Sequence, residues 1–207
     1  MAGRTNGSAG TITAAAAQWP DVERLFGVRG EPARCWCRFF ALTGSEWSGT
    51  GPDARKGQLR AKFDGGSPAP GVIAFRDGQA VGWCAVEPRP CYPRILRSKV
   101  VTSAGPAAAG PGGTRVWSVS CFVVAPGQRR QGVARALLSA AVKHAFSHGA
   151  AVVEGYPVDP ARRPKAGPAD LYHGTLGLFL GAGFDLVSDA VPGRAVVRLA
   201  APPTSAE

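Results

Sequence analysis

No run of about 18 consecutive apolar residues occurs in the chain, which excludes a membrane-spanning helix from the expected architecture. The opening segment, MAGRTNGSAGTITAAAAQ, also lacks the long apolar core of a signal peptide, because its alanine run is short and weakly hydrophobic. The cytoplasm is therefore the expected compartment. Cysteine is sparse and odd in number: Cys35, Cys37, Cys84, Cys91 and Cys121, several of them inside strand-like runs. That pattern suits reduced, buried thiols and not a disulfide framework. Cys35-Trp36-Cys37 would supply half of a tetrahedral metal site, but no second close pair of Cys or His completes it, and no metal is expected. Acidic residues are few as well, 14 against 24 basic, giving a net charge of +10. Such a balance invites a nucleic-acid reading. The arginines, however, are scattered, adjacent only at 129–130 and 162–163, and aromatics are not interleaved with them. Nucleic acid stays a minority reading, since a phosphate-rich cofactor would use part of the same positive field.

What is present fits one soluble domain. The 207 residues and a 45% hydrophobic fraction allow a single real core. Residues 1–18 read as a disordered arm and 201–207 as a flexible tail, with the domain over 19–200. Residues 19–27 predict a short helix, with Pro20 early and Gly27 at its end. The aromatic run 35–42 predicts a strand, 43–51 a Gly/Ser loop and 52–63 a charged helix. Residues 71–76 and 79–86 flank Asp77-Gly78, a two-residue loop that favours a type I′ hairpin turn. A short helical turn is expected within 91–98, and 103–113 reads as a mobile low-complexity loop.

The chain is organised around residues 116–146. An apolar, β-branched and aromatic run over 116–124 reads as a buried strand. Ala134, Leu137, Leu138, Ala141, Val142 and Ala145 then form the stripe of a core-packed helix. Between them lie Arg129, Arg130, Gln131, Gly132 and Val133. A strand, a basic turn and a helix whose first N–H groups are bare make an anion site. Residues 151–156 read as a second buried strand, parallel to the first through a right-handed crossover. A basic, proline-rich loop over 157–169 precedes a last helix over 170–182, capped by Asp170 and weakened by three glycines. Strands over 185–188 and 195–199 close the domain.

Arg129-x-x-Gly132-x-Ala134 after a strand resembles the (R/Q)-x-x-G-x-(G/A) pyrophosphate loop of the GNAT superfamily of acyl-CoA N-acyltransferases. A second signature, Leu178-Phe179-Leu180-Gly181-Ala182-Gly183-Phe184, resembles the family's Y-x-x-x-G-F ending. The resemblance covers about residues 19–200. It implies an α/β (α+β type) fold, a single domain with a central mixed twisted sheet of six to seven strands flanked by about four helices. It also implies acetyl-CoA as co-substrate and attack by a primary amine in a ternary complex.

Carried over residue by residue, the resemblance assigns the cofactor to Arg129, Arg130, Gln131, Gly132, Val133, Ala134 and Arg135. The central strand at Cys121, Phe122, Val123 and Val124 would supply the N–H that polarises the thioester, and Phe179 would line the pantetheine arm. Phe179 stands where the family usually has the tyrosine that protonates the departing thiolate, and a phenyl ring cannot donate a proton. Tyr156 and Tyr172 are the substitute acids. A thiol with an ordinary pKa of about 8.5 also leaves without much help.

The central strand has no carboxylate, so Glu154 is the candidate base. Alternation puts Val152, Glu154 and Tyr156 on one face, where a carboxylate must find a partner or hold its proton more tightly. The alternative is that Glu154 merely pairs with an arginine. His173 and Glu87 are weaker candidates for moving a proton. Trp36, Trp47, Trp83 and Tyr92 mark where an acceptor pocket would form, and the basic surface disfavours a polycationic acceptor. The acceptor itself, and the choice between monomer and homodimer, stay open. Two other classes remain: a non-catalytic acyl-CoA-binding or regulatory domain on the same fold, motivated by Phe179, and the basic nucleic-acid module.

Overall fold

The computed structural model describes residues 10–27, 30–66, 68–105, 115–167 and 169–203. Seven strands form one sheet: β1 (Ile12–Ala16), β2 (Gly71–Arg76), β3 (Gln79–Pro88), β4 (Val116–Val124), β5 (Val152–Gly155), β6 (Asp185–Ser188) and β7 (Val196–Ala200). Their spatial order is β1-β2-β3-β4-β5-β7-β6. Only β4 and β5 run parallel; every other neighbouring pair is antiparallel. Eight α-helices accompany the sheet among the described residues. They are α1 (Trp19–Phe26), α2 (Glu31–Cys35), α3 (Gly44–Ser48), α4 (Pro52–Asp64), α5 (Pro93–Leu96), α6 (Lys99–Thr102), α7 (Val133–Ser147) and α8 (Leu176–Leu180). Mixed α/β architecture, the β2–β3 hairpin and the β4–α7–β5 crossover are as the sequence predicts. No helix among the described residues is long and apolar enough to cross a membrane.

The two faces of the sheet carry separate cores. Leu137, Leu138, Ala141 and Ala145, four positions of the α7 stripe, bury against Val72, Val86, Trp117, Val119 and Phe122 on one face. On the other, α1 lays Val22 and Phe26, one turn apart, against Trp36, Leu59, Ile73, Trp83, Cys121 and Val123. A third cluster gathers Tyr92, Ile95, Val101, Tyr156 and Val196 beyond the middle of the sheet.

Four expectations need correction. The arm expected over residues 1–18 contains β1, which pairs along β2 from Ile12↔Arg76 to Ala16↔Val72; residues 1–9 lie outside the described residues. β1 is thereby one edge of the sheet.

The run 35–42 is not a strand. The helix α2, with Pro32 in its first turn, ends through Trp36 and Cys37, both left-handed at φ 47°. Carbonyls along the next stretch are satisfied by local turns and by Arg94, and not by a neighbouring strand. Arg94 Nε donates to the carbonyls of Phe39 (2.7 Å) and Leu42 (3.1 Å), and its Nη2 to Thr43 O (3.0 Å).

Residues 43–51 hold α3, closed at its start by a reciprocal capping box. Glu46 N donates to Thr43 Oγ1, and Thr43 N donates to Glu46 Oε2 at 2.7 Å. The expected last helix is broken in two: a 3₁₀ turn over Asp170–His173, then Gly174 at φ 74°, then α8 capped by Thr175. Asp170 therefore does not cap α8; its Oδ2 accepts from Gly167 N at 3.0 Å. The loop expected over 103–113 lies largely outside the described residues.

Candidate functional site

The parallel pairing of β4 with β5 covers Val116↔Val152 to Val119↔Gly155 and then stops, although β4 runs on to Val124. Beyond Gly155 the chain turns away, and Val158 makes bridges to Thr175 and Arg194 instead. The two strands thus part in the middle of the sheet. On its other edge β4 slips by one residue against β3. Ala85 faces Cys121 while Val86 faces Val119, so Ser120 is bulged. A bulge bends its strand and re-aims the side chains beyond it. Past the bulge, Phe122 buries on the α7 side, while Cys121 and Val123 line a cavity on the opposite side.

Phe179 from α8 fills the space beneath the parting. It is fully buried, edge-on to Phe122 at 6.0 Å and to Phe184 at 5.0 Å. Gly155 makes room for it: a Cβ there would lie 2.3 Å from the Phe179 ring. The ring packs as core, at the position assigned to the cofactor arm.

At the end of β4 the chain passes through a short 3₁₀ turn into the basic loop. Arg130 adopts a left-handed φ of 58°, rare for a side chain without a special reason. Gly132 follows at φ 86° and starts α7 with no side-chain cap. The first N–H groups of α7, at Val133, Ala134 and Arg135, have no carbonyl a turn behind them in the helix and face an end with partial positive charge. Arg129, Arg130 and Arg135 are exposed around that end, and none of them forms an ion pair among the described residues.

The loop is braced from below. Arg76 Nη1 donates to the side-chain oxygens of Gln128 and Gln131, and Gln131 Nε2 donates to Gly127 O at 2.8 Å. Gln131 is thereby committed to holding the loop through its side chain. Val133 is buried and leaves only its backbone for a ligand.

On the face opposite α7 lies the cavity, about 510 Å³ in volume. Its floor is Cys121, Val123 and Tyr156, and its walls include Phe39, Phe40, Trp47, Ile95, Tyr172 and His173. Of the aromatics expected to form an acceptor pocket, Trp47 lines this cavity. Trp36 and Trp83 instead pack in the core with Phe26, and Tyr92 is buried behind the wall.

The three catalytic candidates divide. Tyr172 faces the cavity half-buried, and burial raises its phenol above the usual value. The Tyr156 ring also lines the cavity, but its hydroxyl donates to Glu154 Oε1 at 2.8 Å. With that proton committed, the Ser118 hydroxyl must be the donor in its 2.6 Å bond to Tyr156. Burial, reinforced by the charge of Glu154, pushes the Tyr156 phenol well up, so it stays protonated.

Glu154 is fully buried and does not line the cavity. Its oxygens are taken by Arg198 Nε at 2.7 Å, Arg89 Nη1 at 3.3 Å and Tyr156. Glu154, the candidate base, thus stands apart from the cavity with its oxygens committed to these partners. A carboxylate sealed on an apolar strand finds partners, as burial demands. Arg198 could have been anticipated, since an arginine inside the apolar run of β7 needs an acid on a neighbouring strand. Arg89 and Arg194 carry no local signal; they arrive through the turns after β3 and before β7.

His173, a weaker candidate from sequence, is buried in the cavity wall with its ring 4.7 Å from Phe40. Burial, and secondarily the charge of Arg194, pushes its pKa down to about 3, leaving a neutral imidazole whose Nδ1 has no hydrogen-bond partner among the described residues.

The arrangement is a parted parallel strand pair, a basic helix start at one end and an apolar cavity beneath the other. The model of the acetyltransferase (GNAT) family matches residues 36–163, more than half of the chain. Among solved structures, yncA from Salmonella typhimurium, solved with its cofactor acetyl-CoA, superposes with a TM-score of 0.52. It is 15% identical, with 94% of this chain and 96% of that one covered. The ribosomal-protein-alanine N-acetyltransferase from Brucella melitensis gives a TM-score of 0.51 at 16% identity, covering 91% and 99%. An N-acetyltransferase from Staphylococcus aureus Mu50 gives 0.51 at 12%, covering 92% and 98%. At these identities the likeness is one of fold. No curated protein matches the chain in sequence.

Proposed function

The chain belongs to the acetyltransferase (GNAT) family, and from that membership we propose that it transfers an acetyl group from acetyl-CoA to a primary amine. The observation that carries the reading is the parting of β4 from β5 directly upstream of an uncapped, arginine-ringed α7. In this reading the pyrophosphate sits on the N–H groups at the start of α7, with Arg129, Arg130 and Arg135 as charge-assisted donors. Gly132 leaves the approach open, for a Cβ there would meet only Ile12, at 3.9 Å. The pantetheine arm then lies along the stretch of β4 that β5 abandons, Cys121 to Val124, whose edge groups can pair with its amides as a strand would.

The reaction needs no covalent enzyme intermediate. The amine attacks the thioester carbonyl, a C–N bond forms, and a strand N–H beside the Ser120 bulge donates to the developing oxyanion. The C–S bond then breaks; the thiolate takes one proton from an acid, and the nitrogen releases one to solvent water, from which that acid is re-protonated. For the first transfer we assign Tyr172, which faces the cavity, in preference to Tyr156, whose proton is held by Glu154. Glu154 becomes a positioning residue that fixes Tyr156 in the cavity floor, with Ser118 bonded to Tyr156 from behind. The apolar wall itself favours the uncharged amine, which is the nucleophilic form.

Isothermal titration with acetyl-CoA, followed by thiol release across a panel of primary amines, tests this reading. Micromolar binding and amine-dependent release are expected, with the double change Arg129→Ala/Arg130→Ala raising KM for acetyl-CoA by about 10- to 100-fold. Binding without release for any amine would favour a non-catalytic acyl-CoA sensor. Absence of binding would remove both.

A further inference from the structure

We infer that the acceptor is a small primary amine with an apolar or aromatic body and one carboxylate, the carboxylate being held by Arg194. This inference rests on the acetyltransferase reading and adds the substrate class to it. Four ionic side chains line the cavity: Glu31, Asp170, Arg94 and Arg194. Two of them are already committed. Arg94 gives Nε and Nη2 to the three carbonyls of Phe39, Leu42 and Thr43 and stacks on Phe39 at 4.2 Å. Asp170 pairs with Arg163 at 2.9 Å and accepts from Gly167 N. Glu31 is exposed at the start of α2.

Arg194 is different. It forms no ion pair among the described residues. Its Nε is buried without a hydrogen-bond partner among the described residues, and its Nη2 reaches Tyr156 O at 3.5 Å. Beside it stands His173, more than nine-tenths buried, with Nδ1 also unpartnered. A buried polar group left unpaired costs free energy, and a half-buried guanidinium with no carboxylate in direct contact costs more; Asp170 acts on Arg194 only at longer range, its oxygens being held by Arg163 and Gly167. Two such groups side by side on one wall are what a ligand anion would satisfy. A carboxylate can accept two parallel N–H bonds from Arg194, and a neutral imidazole can donate one beside it.

The rest of the cavity selects the body of the molecule. Phe39, Phe40, Trp47, Ile95, Val100 and Val123 present rings and methyl groups, and about 510 Å³ lies within the range of small-molecule sites. The amine must reach the β4 edge at Cys121, where the thioester lies in the proposed reading. A polycation would have to bury charge against Arg194, so that class is disfavoured by the same residue. Two observations thus converge: an unpartnered cation with an unpartnered imidazole, and an aromatic enclosure around them.

The test uses the full-length protein and four related acceptors: phenylalanine, its amide, phenethylamine and a phenylalanyl peptide. Acetyl-CoA turnover with phenylalanine should exceed that with the amide and the amine by at least about tenfold in kcat/KM, as expected for a charged hydrogen-bond pair. Arg194→Leu should abolish that preference, and Arg194→Lys should retain part of it. A second readout does not depend on turnover: N-acetylphenylalanine, but not its amide, should raise Tm of the wild type and leave that of Arg194→Leu unmoved. Equal or better use of the amide, the amine or the peptide, or an unchanged preference in Arg194→Leu, would overturn the inference while leaving the acetyltransferase reading intact. Failure of acetyl-CoA to bind at all would instead strike the reading beneath it.

Discussion

His173 and Phe179 stand on either side of the parting between β4 and β5, and each makes a measurable claim. For His173 the folded pKa is about 3 against an ordinary 6.5. Above about pH 6.5 the side chain is neutral whether folded or unfolded, so it makes no pH-dependent contribution. Below that, the unfolded chain takes up a proton that the buried imidazole refuses, and stability falls as pH drops toward 3. The limiting slope for one such group is about 1.4 kcal/mol per pH unit. Urea unfolding of His173→Leu between pH 4 and 7 should show a flatter profile than the wild type; parallel profiles would mean that the imidazole is not sealed. For Phe179 the claim concerns the family tyrosine. The ring is enclosed by Gly155, Phe122 and Phe184. Phe179→Tyr would bury a hydroxyl among them, at a cost of about 1–3 kcal/mol if it stays unpaired. Thermal unfolding without cofactor should show the loss. If acetyl-CoA then restores more Tm to Phe179→Tyr than to the wild type, the new hydroxyl has found the thiol end of the cofactor. An equal gain in both would mean that Phe179 is core alone.

The elements that the sequence revealed are those whose patterns agree with their environment. The stripe of α7, the Asp77-Gly78 turn and the apolar β4 run each state one period over enough residues to be read. The chain over 30–50 hid itself for a physical reason: its aromatic residues look like a strand, yet Arg94 from a distant turn satisfies its carbonyls. Thr43-x-x-Glu46, by contrast, was a readable cap, obscured by the glycines and serines around it. At the site, the loop was legible because one motif lies in one place. The cavity was not, because His173, Arg194, Trp47 and Cys121 come from four distant segments. The loop also yields the prediction proper to an element. Gly132 at φ 86° starts α7 where any side chain is strained but has room. Gly132→Ala should therefore cost about 1 kcal/mol of stability, the usual penalty of a left-handed residue. It should weaken acetyl-CoA binding by more than that, because its methyl group occupies the phosphate's approach. Comparing the shift in urea midpoint with the shift in Kd separates the two; equal losses would mean that the turn is only structural.

At the scale of the whole molecule the question is whether the excess of ten positive charges acts as a field or through particular contacts. A diffuse field should draw any polyanion and weaken uniformly with salt, whereas contacts at one helix end should be lost with particular residues. Arg129, Arg130 and Arg135 crowd the start of α7 with no ion pair among the described residues, while Arg24, 63% exposed on α1, lies with the opposite face of the sheet and leans toward Asp21. Arg24→Glu changes net charge by the same amount as Arg129→Ala and Arg130→Ala together. If the contacts dominate, the double variant should flatten the dependence of log Kd for acetyl-CoA on log salt concentration, and Arg24→Glu should shift it little. If both variants shift affinity alike, binding is governed by total charge, and the minority nucleic-acid reading regains ground. Titrating single-stranded DNA over the same salt series completes the comparison. The proposed site predicts that DNA binding, where it occurs, depends on net charge alone and is not competed by acetyl-CoA, because in that proposal the α7 start would take a pyrophosphate and the parted strands a pantetheine arm.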